Sequence, residues 1–186
     1  MVPPNCKFEI DDFEALWTFQ QKFSLIHARM LNCCFADGKR LWQQAYDALE
    51  PGGWIEFQDA SLPIRADDGT MDGTHWEDWV NKFMDAMTKV GRDCTAPEHY
   101  EQWAKDVGFV NVVRQDYKWP QNPWPKDPLM KDLGRWHTVN TLDGLHGFSA
   151  RLFTGVLGMS AEDVEALLVK VRKDIVDRSI HSYWPV

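Results

Sequence analysis

No stretch of this sequence approaches the roughly 18 consecutive apolar residues that a membrane-spanning helix needs. The N-terminus MVPPNCKFEIDD has no apolar core of the kind that directs secretion. The expectation is a cytoplasmic protein, with a nuclear location as the alternative, and no membrane partner. Basic residues are scarce: 20 Lys and Arg face 28 Asp and Glu for a formal charge of −8, and the densest basic stretch is the short KVRK at 170–173. A nucleic-acid surface needs the opposite balance, so no nucleic-acid partner is expected. The four cysteines, Cys6, Cys33, Cys34 and Cys94, have neither C-x-x-C spacing nor the density of a disulfide scaffold. Reduced thiols, packing for the vicinal pair Cys33-Cys34, and no metal site follow.

Motifs that announce chemistry are missing too. There is no G-x-S-x-G elbow, no H-E-x-x-H helix and no G-x-G-x-x-G loop. What the chain has in quantity is aromatic residues, including 10 Trp in 186 residues. Their large apolar area suits a core or an interface, and also a pocket for a flat, hydrophobic or aromatic metabolite.

The apolar pattern alternates between strand and helix. CKFEID, 6–11, reads as a strand ending in an acidic turn, and FSLIHARML, 23–31, as a strand leading into a loop or as a short helix. From Asp37, a plausible N-cap, Leu41, Trp42, Ala45, Tyr46 and Leu49 recur at helical spacing until Pro51-Gly52-Gly53, after which WIEFQ resumes as a strand. Strand, helix, tight turn and strand predict a βαβ unit with parallel pairing. Helices follow at 76–90 and from Pro97 to Gly108, and FVNVVRQDY is a further strand candidate. WPQNPWPKDP, 119–128, is a stiff connector. Residues 129–157 read as two short helices broken near Asp143-Gly144, and Ser160 caps a last helix with Asp163 in a capping-box position. At the C-terminus, HSYWPV begins a strand.

In order along nearly the whole chain, FEIDDFEALWTF, FSLIHARML, LWQQAYDALEPGGWIEFQD, the segment from Arg135 to Asp174 and RSIHSYWPV resemble the class I S-adenosylmethionine-dependent methyltransferases, in particular the fungal secondary-metabolism methyltransferases related to global regulators. The resemblance implies an α/β, partial Rossmann-like fold that opens at the family's third strand. A methyltransferase-like core over 1–118 and a helical lid over 119–186 would form one structural domain. It also implies that Asp11, Asp12 and Phe13 form the adenine-contacting turn and that His27 to Met30 lie near the methyl-donor sulfonium. Trp136, His137, Asn140, His146 and Phe148 would belong to the lid.

His27 and Arg29 suit acid/base and oxyanion roles, and His137 and His146 flank the expected helix break with a residue type able to exchange protons, so these four are the candidate catalytic residues; structural hydrogen bonding is the competing reading. Trp76, Trp79, Trp136, Asn140 and Phe148 are the candidate substrate-binding residues. Because the family's Gly-rich loop and first two strands are absent, the expectation is a degenerate protein that binds no cofactor and cyclises or isomerises a secondary metabolite. Two alternatives stay open: a methyltransferase whose S-adenosylmethionine half comes from another chain or lies outside this sequence, and a regulatory subunit. Open sheet edges predict a homodimer or domain swap.

Overall fold

The protein is described by a computed structural model covering residues 3–186. The βαβ unit forms as the pattern predicts. Strand β1 (Phe23–Arg29) leads through a loop to helix α1 (Gly38–Ala48), which returns the chain to strand β2 (Leu49–Gln58). Asp37 caps α1 by accepting from Arg40 N at 3.0 Å, satisfying a donor that the first turn leaves free. β1 and β2 pair in parallel, with Leu25 opposite Trp54 and Arg29 opposite Gln58. A register shift between Phe23 and Leu25 absorbs the Pro-Gly-Gly turn, where Gly52 takes φ +83°.

Period-two alternation gives this two-stranded sheet two unlike faces. Ile55 and Phe57 turn toward α1 and helix α3 (Tyr100–Val107), where Trp42 stacks on Phe57 at 4.5 Å and Phe35, Leu41, Tyr100 and Ala104 complete a small core. The other face is uncovered: Leu25 is 55% and Trp54 69% exposed. Neither strand has a second neighbour among the described residues, so both outer edges are open.

A second, larger core is helical. Helices α2 (His75–Lys89), α4 (Pro128–Gly155) and α5 (Ala161–Val176) bury Trp76, Trp79, Val80, Leu145, Phe153, Val164, Leu168, Val171 and Ile175 together. Strands β3 (Lys118–Pro120) and β4 (Tyr183–Pro185) form an antiparallel pair that α4 packs against, and Ser61 N donates to Pro185 O at 2.8 Å, tying this pair to the segment after β2. No helix among the described residues is long and apolar enough to cross a membrane.

Three expectations are corrected. CKFEID is irregular and exposed, and so is most of FVNVVRQDY, with Val110 and Val113 in solvent. A strand is stable only when a neighbour takes up its backbone donors, and in these two segments only Tyr117 has such a neighbour among the described residues, exchanging bonds with Val186. Residues 129–157 are not two helices: α4 runs unbroken through Asp143-Gly144. One internal glycine costs a helix only about 1 kcal/mol, which packing on α2 and α5 offsets. Finally, the connector 119–128 contains the end of β3, where Pro120 closes a short strand.

Candidate functional site

In an open parallel sheet, ligands sit outside the carboxyl ends of the strands, where loops and helix N-termini meet. Here that rim is the loop Met30–Asp37 after β1 and the residue Asp59 after β2. Two non-glycine residues in the loop, Met30 and Cys33, hold φ values of +55° and +65°. Such backbone persists only where surrounding contacts fix it. The contacts are present: Met30 N donates to Gln58 O at 2.9 Å, Leu31 N to Asp59 Oδ2 at 3.1 Å, and Asn32 Nδ2 to both Ala60 O and Cys94 O at 2.8 Å.

Asp59 organises this rim. Its carboxylate also accepts from Ala60 N at 3.0 Å and from the Tyr100 hydroxyl at 2.9 Å. Burial pushes the Asp59 carboxyl above the usual carboxylate range although its donors oppose the shift, and the same burial with the neighbouring Asp59 charge pushes the Tyr100 phenol far up. Tyr100 therefore stays a hydrogen-bond donor at every ordinary pH.

The acidic turn lies against this rim. Asp11 Oδ1 accepts from Asp12 N and Asp12 Oδ1 from Glu14 N, while both Asp side chains stay exposed. Phe13 packs with Trp17 and Leu31 at the edge of the small core. Glu14 makes the connection: Oε1 accepts from Ala36 N at 2.6 Å and Oε2 pairs with Arg92 at 2.8 Å, and these bonds hold its pKa down. Beside it Glu14, Ala36, Asp37, Arg40, Leu41 and Gln44 line a hollow of about 180 Å³. Gln44 Oε1 accepts from Trp17 N, but Gln44 Nε2 is buried with no partner.

The four candidate catalytic residues are not brought together. His27 and Arg29 share the uncovered sheet face, where His27 Nδ1 lies 3.0 Å from Glu56 Oε2. His137 is on α4, its Nδ1 3.2 Å from Pro120 O and its ring against Trp119 and Trp184; burial lowers its pKa. His146, also on α4, faces Glu165 of α5 at the surface, 3.0 Å away.

The five candidate substrate residues are likewise dispersed. Trp76 and Trp79 stack in the helical core with rings 5.0 Å apart, and Trp79 Nε1 donates to Ser149 Oγ at 2.8 Å, so neither lines an open cavity. Trp136, Asn140 and Phe148 are on α4, facing solvent. The larger cavity, about 270 Å³, is elsewhere: Pro120, Trp124, Met130 and Tyr183 supply apolar walls, with Asp67, Asp68, Lys118 and His181 around them. Lys118 pairs with Asp67 and stands over the Tyr183 ring, and bonds from His181 and Thr70 hold the Asp68 carboxyl down to about 2. Sequence reasoning passed over this group because its members are far apart in the chain. It passed over Asp59 as well, although a carboxylate closing the apolar strand WIEFQ was a readable signal.

Residues 2–113 match the family described as a methyltransferase domain. The chain belongs to that family. Within this methyltransferase family it is 36% identical over 179 residues to the probable methyltransferase tdiE of Emericella nidulans, covering 96% of this chain and 56% of that protein. Identity to the methyltransferase pytC of Aspergillus terreus is 33%, covering 98% and 57%. The secondary metabolism regulator LAE1 of Cochliobolus heterostrophus is 30% identical, covering 98% and 61%. These relatives place the chain in the fungal secondary-metabolism branch of the class I S-adenosylmethionine-dependent methyltransferases. The chain spans little more than half the length of the curated relatives it matches.

The expectation of a cofactor-free protein is thereby corrected. It rested on a missing Gly-rich loop, but a stretch matching 56–57% of a methyltransferase says nothing about motifs elsewhere in the protein, and the family's reaction consumes S-adenosylmethionine. The residues present fit the adenosyl end of that cofactor in chemical type: the acidic turn offers an exposed carboxylate at Asp12 and an aromatic ring at Phe13, and α1 offers an unpartnered buried donor, Gln44 Nε2, beside the hollow that Glu14 and Ala36 also line.

Proposed function

We propose that this chain carries the adenosyl-contacting and methyl-donor rim of an S-adenosylmethionine-dependent methyltransferase that acts on a small aromatic or hydrophobic metabolite. The observation that carries the reading is Glu14, which joins the acidic turn to the loop after β1 through Ala36 N and to the segment after α2 through Arg92. That bond supports reading the acidic turn, expected at the adenine, beside the loop that follows His27–Met30, expected at the sulfonium. When bound, the cofactor supplies an electrophilic methyl group on its sulfonium. Asp12 accepts a hydrogen bond from the adenosyl end, Phe13 packs beside the base, and Gln44 Nε2 donates into the hollow. Met30, held at positive φ, shapes the loop near the donor. Asp59 and Tyr100 fix that loop through Leu31 N rather than touching the methyl group.

The two relatives of higher identity bear methyltransferase names, which supports methyl transfer but names no substrate. A cavity walled by Trp124, Tyr183, Met130 and Pro120 suits a small aromatic or hydrophobic ligand. The 30% identity to LAE1 supports a regulatory protein as the second reading. Isothermal titration with S-adenosylmethionine tests the proposal. Saturable binding is expected, and Asp12→Ala should weaken it roughly tenfold, the loss of one charge-assisted hydrogen bond. No binding, or equal affinity in the variant, would overturn it.

A further inference from the structure

Cys33 and Cys94 lie 61 residues apart in sequence, yet their Sγ atoms are 3.0 Å apart, with the Cys33 thiol donating to Cys94. Cys33 is half-buried in the strained loop after β1, and Cys94 is buried just before the short 3-10 turn Ala96–His99. The backbone around them is already stitched together. Asn32 Nδ2 donates to Cys94 O at 2.8 Å, and Leu62 N donates to the same carbonyl at 3.1 Å. The exposed neighbour Cys34 makes no comparable approach to another sulfur among the described residues.

We propose that Cys33 and Cys94 form a reversible disulfide under peroxide, a modification site that pins the loop after β1 to the segment before α3. The sulfurs must close by about 1 Å to reach bonding distance, which side-chain rotation supplies without moving two packed segments far. Cys94 is the attacking sulfur: accepting the Cys33 S–H bond lowers its pKa, while donating that bond, together with burial, pushes Cys33 far up. The Cys94 thiolate attacks one peroxide oxygen and the O–O bond breaks. Hydroxide leaves, takes up a proton as water, and Cys94 becomes a sulfenic acid. Cys33 then loses its proton and attacks the Cys94 sulfur; the S–O bond breaks and a second water departs. Two thiols and one peroxide give one disulfide and two waters, and a small dithiol reverses the change.

Peptide mapping tests this without reference to methyl transfer. The folded chain is treated with hydrogen peroxide, its remaining thiols are alkylated in denaturant, and it is digested with trypsin. The expected product joins the peptide Met30–Lys39 to the peptide Asp93–Lys105, with fragmentation placing the bond on Cys33. It should form equally in Cys34→Ser, vanish in Cys33→Ser, and be removed by dithiothreitol. Peroxide should also raise the melting midpoint of the wild-type chain and not that of Cys33→Ser, since only the former closes the long loop. A Cys33–Cys34 or Cys34–Cys94 bond in its place would overturn the proposal. So would a cross-link seen only when peroxide is added in urea, or oxidation confined to Cys6 and Cys34.

Discussion

Leu145, Phe153, Leu168, Val171 and Ile175 have no solvent contact, whereas Leu25 and Trp54 on the free face of the β1–β2 sheet are more than half exposed. The helical region builds a closed core from its own three helices, because α2, α4 and α5 each bury one stripe and the three stripes meet, although Trp136, Val139 and Phe148 of α4 stay exposed. The sheet region has helices over only its Ile55–Phe57 face, and its other face sets Leu25 and Trp54 among the polar His27, Arg29, Glu56 and Gln58. A parallel sheet is ordinarily covered on both sides. The contrast separates the two roles: the helical core supplies stability, and the sheet rim supplies the candidate site, at lower local stability.

Truncation experiments sharpen that contrast most. Phe153→Ala removes a wholly buried ring from the helical core and should cost about 3–5 kcal/mol by chemical denaturation. Trp54→Ser deletes a ring that water already reaches and should change stability by less than about 0.5 kcal/mol. Equal losses from the two would show that the free face is packed in solution, and the regional contrast would fail. A smaller effect is expected within the same core at Ser149. Its hydroxyl accepts from Trp79 Nε1 and donates to Leu145 O at 2.6 Å, so Ser149→Ala strands a buried indole donor. The expected loss is about 1–3 kcal/mol, the cost of one unsatisfied buried group.

The elements that could be read from the sequence were those whose signals are local. Ser160 caps α5 by accepting from Asp163 N at 3.0 Å, and Val164, Leu168, Val171 and Ile175 are its buried stripe, as their spacing requires. FVNVVRQDY has equally good local chemistry for a strand, but pairing is a property of two segments and cannot be read from one. Gly144 failed as a helix break for a related reason. A Cβ there would stand 2.8 Å from the Phe148 ring, and at Gly134 one would stand 2.3 Å from Asn122 O, so at both positions glycine also allows close packing. At the site, the acidic turn was legible through family resemblance. The bonds that make it part of a site, Glu14 to Ala36 N and Asp59 to Leu31 N and Tyr100, join residues that only the fold brings together.

The last expected effect concerns pH. His137 is enclosed by Trp119, Trp184 and the Pro120 carbonyl, and burial lowers its pKa below the ordinary value of 6.5. The folded state therefore favours neutral imidazole, while the unfolded chain takes up a proton near 6.5. Between the two pKa values the unfolded state holds more protons, so stability is full above pH 6.5 and falls as pH drops toward the folded-state value. One such group gives a slope of at most about 1.4 kcal/mol per pH unit. His137→Gln keeps a donor for Pro120 O but cannot titrate, so its stability should be flatter through that window. Asp59 acts in the opposite sense: its raised pKa means that the folded state keeps a proton the unfolded chain has released, and stability falls as pH rises above 3.8. Both chains contain Asp59, so subtracting the variant's denaturation free energies from the wild type's, pH by pH, cancels it. The difference should decline with acid if the packing around His137 excludes water as tightly as the rest of the helical region does. A flat difference would mean that this corner admits solvent like the sheet rim.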